Sequence, residues 1–236
     1  MKRFTFFSIV FVLAFSLFVG CGGNDDDDDD NEIVGPGGDI NGGGTGYFTS
    51  LKAGSWAEYT VSEGGREIMK FLGEDTWDGR ASYIMETESV MNGDSTVTQI
   101  WIDKSTGEVV LFLIEMGGVV MKMDITASQD TDVPGEDEPW DEPAAKELGA
   151  GTYTTPTGKT VNVTKYTVTT TWGTDEYWVS SEVPFGEVKD ISNGEVFMEL
   201  YDFGFSGAQR SISREEAENA EPFGINIPDI PEIPGN

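Results

Sequence analysis

Apolar and polar residues alternate with a period of two through most of the middle of the chain. Val119, Met121, Met123 and Ile125 alternate with Val120, Lys122 and Asp124, and Ala81, Tyr83 and Met85 alternate with Ser82 and Glu86. Successive side chains of a strand point to opposite faces, so this spacing predicts half-buried strands. The continuous apolar run 109–114 predicts a central strand, and 160–171 is rich in the threonine and valine that suit a pleated surface. Two further strands are predicted over 176–179 and 196–203. Turn residues punctuate these runs at Asn92-Gly93-Asp94, at 103–107, at Gly117-Gly118 and at Ser192-Asn193-Gly194. Asn193-Gly194 is the strongest hairpin signal. The pattern predicts a mainly β fold: a single antiparallel, strongly curved sheet, half-barrel or open barrel, of about ten strands.

Helix is scarce. Ser213-Arg214-Glu215-Glu216 reads as a capping box and predicts one short C-terminal helix, to about residue 220 and stopped before Pro222. Prolines at every third position over 227–234 predict a polyproline II tail. The organisation expected is therefore a β domain over 47–212, broken by an acidic loop at 127–145, then helix and tail over 213–236.

The chain opens with Met1-Lys2-Arg3 and an uncharged apolar run over 4–20, the pattern of a secretory signal peptide over 1–20. The run is at the short limit for a membrane span, which needs roughly 17–25 residues. Phe18-Val19-Gly20-Cys21 follows, and it resembles the lipobox of bacterial lipoproteins, with phenylalanine in place of the usual leucine. The resemblance implies a lipid on Cys21, cleavage just before it, and a membrane as the partner. Gly22 after the cysteine resembles lipoproteins sent to the outer membrane. Residues 21–46 hold six successive aspartates and two glycine-rich stretches. They read as a disordered tether, because such a segment has almost nothing to bury.

Composition then removes whole classes of chemistry. There is no histidine and one cysteine, so no Ser-His-Asp centre, internal disulfide or Cys/His zinc site can be built. The formal net charge is −29, from 43 acidic and 14 basic residues, and it argues against nucleic acid as a partner. Gly158-Lys159-Thr160 lacks the first glycine of a phosphate loop, and reads as part of a hairpin turn. Gly204-Phe-Ser206-Gly-Ala208 has the outline of a nucleophile elbow with no histidine base to serve it. The acidic loop fails the EF-hand calcium pattern, with Pro134 where a ligand is required. No metal, cofactor or catalytic residue is expected, and no protein partner is indicated.

A faint repeat relates Leu51-Lys-Ala-Gly-Ser-Trp56 to Leu148-Gly-Ala-Gly-Thr-Tyr153. The stretch Tyr177-Trp-Val-Ser-Ser-Glu-Val-Pro-Phe-Gly-Glu-Val-Lys189 looks like a motif of lipoproteins that carry a curled sheet, an architecture similar to the half-barrels of the LolA/LolB carriers. That resemblance implies an apolar or lipid ligand in the concave face. Met85, Trp101, Leu111, Leu113, Met121, Met123 and Trp178 are the candidate lining. Two alternatives stand beside it: a structural or interaction protein of the envelope with no small ligand, and a hydrolase built on paired carboxylates.

Overall fold

Three tight turns set the register of the sheet. Asp78-Gly79, Asn92-Gly93 and Asn193-Gly194 each place two successive residues at positive φ, at 49° and 80°, 54° and 88°, and 51° and 85°. Such a pair matches the right-handed twist of the strands it joins. The computed structural model describes residues 48, 50–123, 145–170 and 173–223. The leader, Cys21, the aspartate tether, the acidic loop (apart from residue 145) and the proline-rich tail lie outside those residues.

The described residues form β1 (Ser55–Val61), β2 (Gly65–Trp77), β3 (Arg80–Met91), β4 (Asp94–Asp103), β5 (Val109–Met116) and β6 (Val119–Met123). They continue through β7 (Lys146–Thr154), β8 (Thr160–Thr170), β9 (Gly173–Val179), β10 (Glu187–Ser192) and β11 (Glu195–Gly204). A helix, α1 (Arg214–Asn219), and a last strand, β12 (Glu221–Pro222), close the order. All twelve strands belong to one open sheet, ordered β12-β6-β5-β4-β3-β2-β1-β11-β10-β9-β8-β7. It consists of two consecutive antiparallel meanders, β1–β6 and β7–β11, joined by the pairing of β1 with β11.

Three expectations need correction. There are twelve strands, not about ten. The sheet is mixed, because β12 runs parallel to β6. At two residues β12 is too short for periodicity to reveal, and it arrives after the chain has crossed the sheet as α1. The run 109–114 is not central either, since β5 is third from one edge. It is apolar on both sides because α1 and its flanks cover the side that would otherwise face water.

Each face has its own core. On the first, Ala57, Tyr59 and Val61 of β1 join Met69, Phe71, Tyr83, Met85, Met198 and Leu200, with Val183 and Phe185 from the loop between β9 and β10. On the second, Ile84, Trp101, Leu111 and Leu113 lie under Ile212, Ala217 and Ala220. The capping box of α1 forms as its sequence predicts. The Ser213 hydroxyl accepts from the Glu216 amide at 3.2 Å, and the Glu216 carboxylate accepts from the Ser213 amide at 2.7 Å.

Candidate functional site

Register decides which candidate residues can share a surface. Phe71, Met85, Ile100, Phe112 and Met123 are successive partners across β2 to β6, so they form one row on the first face. Met69, Thr87, Thr98, Ile114 and Met121 form the row beside it. Burial falls along these rows. Phe71 and Met85 are buried, whereas Ile100, Phe112, Ile114, Met121 and Met123 are half-buried. At the far corner Met116 and Val119 are 41% and 48% exposed. At the buried end Phe48 stacks on Tyr83 at 5.3 Å, and an open recess of about 350 Å³ lies among Phe48, Leu51, Phe71, Glu74 and Tyr83.

The second face is built differently. Lys70, Glu86, Gln99, Leu113 and Lys122 are the partners in its central row. Glu86 is 1% exposed and Lys70 7%, and they pair at 3.0 Å. Lys70 also donates to Glu88 at 2.5 Å, to the Gln209 carbonyl at 3.0 Å and to the Ser211 hydroxyl at 2.8 Å. Gln99 donates to Glu86 at 2.9 Å and to the Ile212 carbonyl at 3.0 Å, and accepts from the Trp101 indole at 2.8 Å. The amides of Ser211 and Ile212 donate to Glu86 in turn. This network fastens the segment before α1 onto the sheet. Arg214 completes the cover, its guanidinium 4.7 Å from the Trp77 ring and 5.2 Å from Trp101.

The seven candidate lining residues therefore do not meet on one surface. Met85, Met121 and Met123 lie on the first face. Trp101, Leu111 and Leu113 are enclosed on the second, beneath the segment that the network holds. Trp178 belongs to the other meander. Its indole donates to Glu176 at 2.5 Å, Lys165 and Lys189 stand 3.6 and 5.4 Å from its ring, and Tyr153 meets it edge-on. Period-two reading locates strands but assigns no common origin to their faces, and bulges reset the parity. Leu72, Val110 and Val188 are the extra residues at three of them.

Sequence reading missed a group of carboxyls on the first face. Glu67 of β2 is 2% exposed, and burial raises its pKa to about 7, against a weak hydrogen bond from Ser89. Glu187 of β10 is raised to about 7 by burial, then by the charges of Asp190 and Glu67. Asp190 is raised to about 6 by burial and by Asp175. Oε1 of Glu67 and Oδ1 of Asp190 are buried with no hydrogen-bond partner. Such groups hold protons near neutrality. The signal was present as Glu67 in phase with Met69 and Phe71, an acid at a core position. Among the described residues no group of three or more acids and thiols could hold a metal ion.

The stretch 155–158 is the hairpin turn that its sequence predicts. The Gly158 amide donates to the Thr155 carbonyl at 2.9 Å. At the elbow-like stretch, a Cβ on Gly204 would lie 2.6 Å from the Trp56 indole nitrogen, and that indole donates to the Ser206 carbonyl. Gly204 thus makes room for Trp56.

No family model matches the chain, and no curated protein matches it. Among solved structures, a chain of "Structure of PNGF-II in C2 space group" aligns with a TM-score of 0.34 and 12% identity. The match covers 71% of this chain and 30% of that one, and a likeness so weak fixes neither fold nor function.

Two expectations follow from the charges. Lys70→Met leaves Glu86 buried without its cation and should lower unfolding free energy by roughly 3–5 kcal/mol in urea titration; a loss under about 1 kcal/mol would show the pair contributes nothing. The raised carboxyls give stability that is full below their unfolded pKa values and is lost as pH rises through the folded ones. Melting temperature should therefore fall between about pH 5 and pH 8, with Glu67 alone contributing roughly 3 kcal/mol. Glu67→Gln should flatten that fall, and an unchanged profile would remove Glu67 as its cause.

Proposed function

We propose that the chain is a lipid-anchored protein of the bacterial cell envelope, non-catalytic, whose sheet offers an apolar surface to an apolar or lipid ligand. The observation that carries the anchorage is the uncharged run 4–20 leading into Phe18-Val19-Gly20-Cys21. Each acyl CH₂ buried in a bilayer contributes about 0.8 kcal/mol, so several chains on Cys21 hold durably where one would not. The acid-rich tether after it keeps the sheet away from an anionic membrane surface.

The ligand surface in this reading is the first face between β4 and β6. Ile100, Phe112, Ile114, Met121 and Met123 are half-buried there and run out to the exposed Met116 and Val119, and apolar surface left open in this way marks interaction sites. Methionines suit it, being unbranched and adaptable. We read the sheet further as a strongly curved half-barrel. The Tyr153 hydroxyl of β7 donates to the Leu200 carbonyl of β11 at 2.6 Å, four places along the strand order, and that contact fits such a curl. A structural envelope protein without a small ligand is the competing reading, and the filled interior around Tyr59, Val188 and Leu200 favours it.

Cys21→Ser expressed in a bacterium that processes lipoproteins should move from the membrane fraction to the soluble fraction. Retention in the membrane with the leader still attached would overturn the lipid anchor. Native mass spectrometry of the protein extracted without denaturation should find a bound lipid, lost in a Phe112→Glu variant. An empty protein would leave the structural reading in its place.

A further inference from the structure

Glu67 and Glu187 sit on strands three places apart, in the order β2-β1-β11-β10. Across a flat sheet that separation is about 14 Å. The chain closes much of it. Tyr59 of β1, the register partner of Glu67, donates its hydroxyl to the Glu187 carbonyl at 3.3 Å. The strands around Tyr59 therefore fold towards one another over the face from which Glu67 projects. Asp190, three residues further along β10, pairs in register with Met198 of the first-face core.

Among the described residues the neighbouring cations are engaged elsewhere. Arg66, next to Glu67 in β2, pairs with Glu58, and Lys189 pairs with Glu199, the register partner of Thr60 on the second face. The titratable groups that face the three carboxyls are Tyr59 from β1, Tyr166 from β8, and Asp175 and Tyr177 from β9. β3 contributes the Ser89 hydroxyl at 3.5 Å, and β11 the apolar Met198 and Leu200. Among the described residues the charges that act on these carboxyls are negative. One oxygen on Glu67 and one on Asp190 are already without partners.

We propose that Glu67, Glu187 and Asp190 form a proton-held latch, which keeps the β9–β10 arm closed over β1 and β2 when uncharged and releases it when ionised. Protonated, the carboxyls are small polar groups that tolerate close approach. Ionised, two or three like charges face one another around the buried Glu67, with no cation among the described residues to offset them. Opening the arm lets water in and separates the charges. On β3–β5 the buried acid Glu86 is matched by Lys70, so the release is local. The latch is independent of the lipid anchor and of the ligand surface on β4–β6.

The test is amide hydrogen exchange by mass spectrometry on the full folded chain, corrected for intrinsic rates, between about pH 5.5 and pH 8.5. Peptides from β9, β10 and loop 180–186 should lose protection by about tenfold or more, while β4 and β5 keep theirs. In Glu67→Gln/Glu187→Gln the same peptides should stay protected throughout. Uniform loss over all strands, or an undiminished loss in the double variant, overturns the latch. If the double variant does not fold, the wild type decides alone through its infrared carboxylic-acid band. Disappearance of that band in step with the exchange supports the proposal, and exchange that rises while the band persists, or with no band at the lower pH, overturns it.

Discussion

The pairing of β1 with β11 is the constraint on which the architecture rests. Each meander could form from its own turns, because every strand in it follows its neighbour in sequence. Among the described residues only Ser55–Val61 against Glu195–Gly204 makes the two halves one sheet, and it joins residues more than a hundred positions apart. Such a contact is entropically late. It must therefore be strongly specified, and the pairs show how. Tyr59 opposes Leu200 and Val61 opposes Met198, all four buried, so a slip of one residue would turn this apolar set outward. The bulge between Glu58 and Tyr59 fixes the offset further, since it leaves Tyr201 outside at 38% exposure while its neighbours stay in.

Once the halves are joined, both faces of the first meander need cover, and they obtain it by different physics. The first face is covered mainly by apolar contact, from Phe48, Val183 and Phe185. The second is covered by a segment that enters through a buried charge, Lys70 with Glu86, read by Gln99 and by the amides of Ser211 and Ile212. A buried ion pair adds little net stability over an apolar substitute, yet its geometry admits few alternatives. It therefore places residues 209–212, and through them α1, at one position along the strands. Leu113 and Trp101 are buried as a consequence of that placement, which is why an inventory of large apolar residues could not say which of them remain open.

Local features were legible in the sequence. The capping box at Ser213, the turn at Asn193-Gly194 and the strands over 160–170 each depend on a few neighbouring side chains, and all three appear where the chain writes them. The division of Met85 and Met121 from Trp101 and Leu113 was not legible, because it depends on hairpin register: Met85 opposes Ile100 and Leu113 opposes Gln99, and only the pairing says on which side of the sheet each falls. The parallel strand at Glu221 was hidden for a related reason: two residues carry no period, and their pairing with Met121 and Lys122 is decided by where α1 lands. Glu67 was legible only as an anomaly, an acid in phase with a core row, and its partner Glu187 lies in another part of the sequence altogether.

That anomaly bears on how so acidic a chain stays folded. Excess negative charge on a surface is tolerable in water, where counter-ions screen it within about a Debye length. Inside the sheet there is no such screen, and 14 basic residues against 43 acids leave few cations to spare. Several of the described bases are committed to specific places: Lys70 inside the second face, Lys159 to Asp202 and Lys189 to Glu199. Acids that the fold draws inward on the first face are thus left with the proton as the counter-charge within reach. The surrounding negative field favours that solution, because it raises the local proton affinity of every carboxyl it surrounds. Interior protonation and surface acidity are on this view two sides of one composition: a chain this poor in bases neutralises a buried acid most readily by keeping its hydrogen.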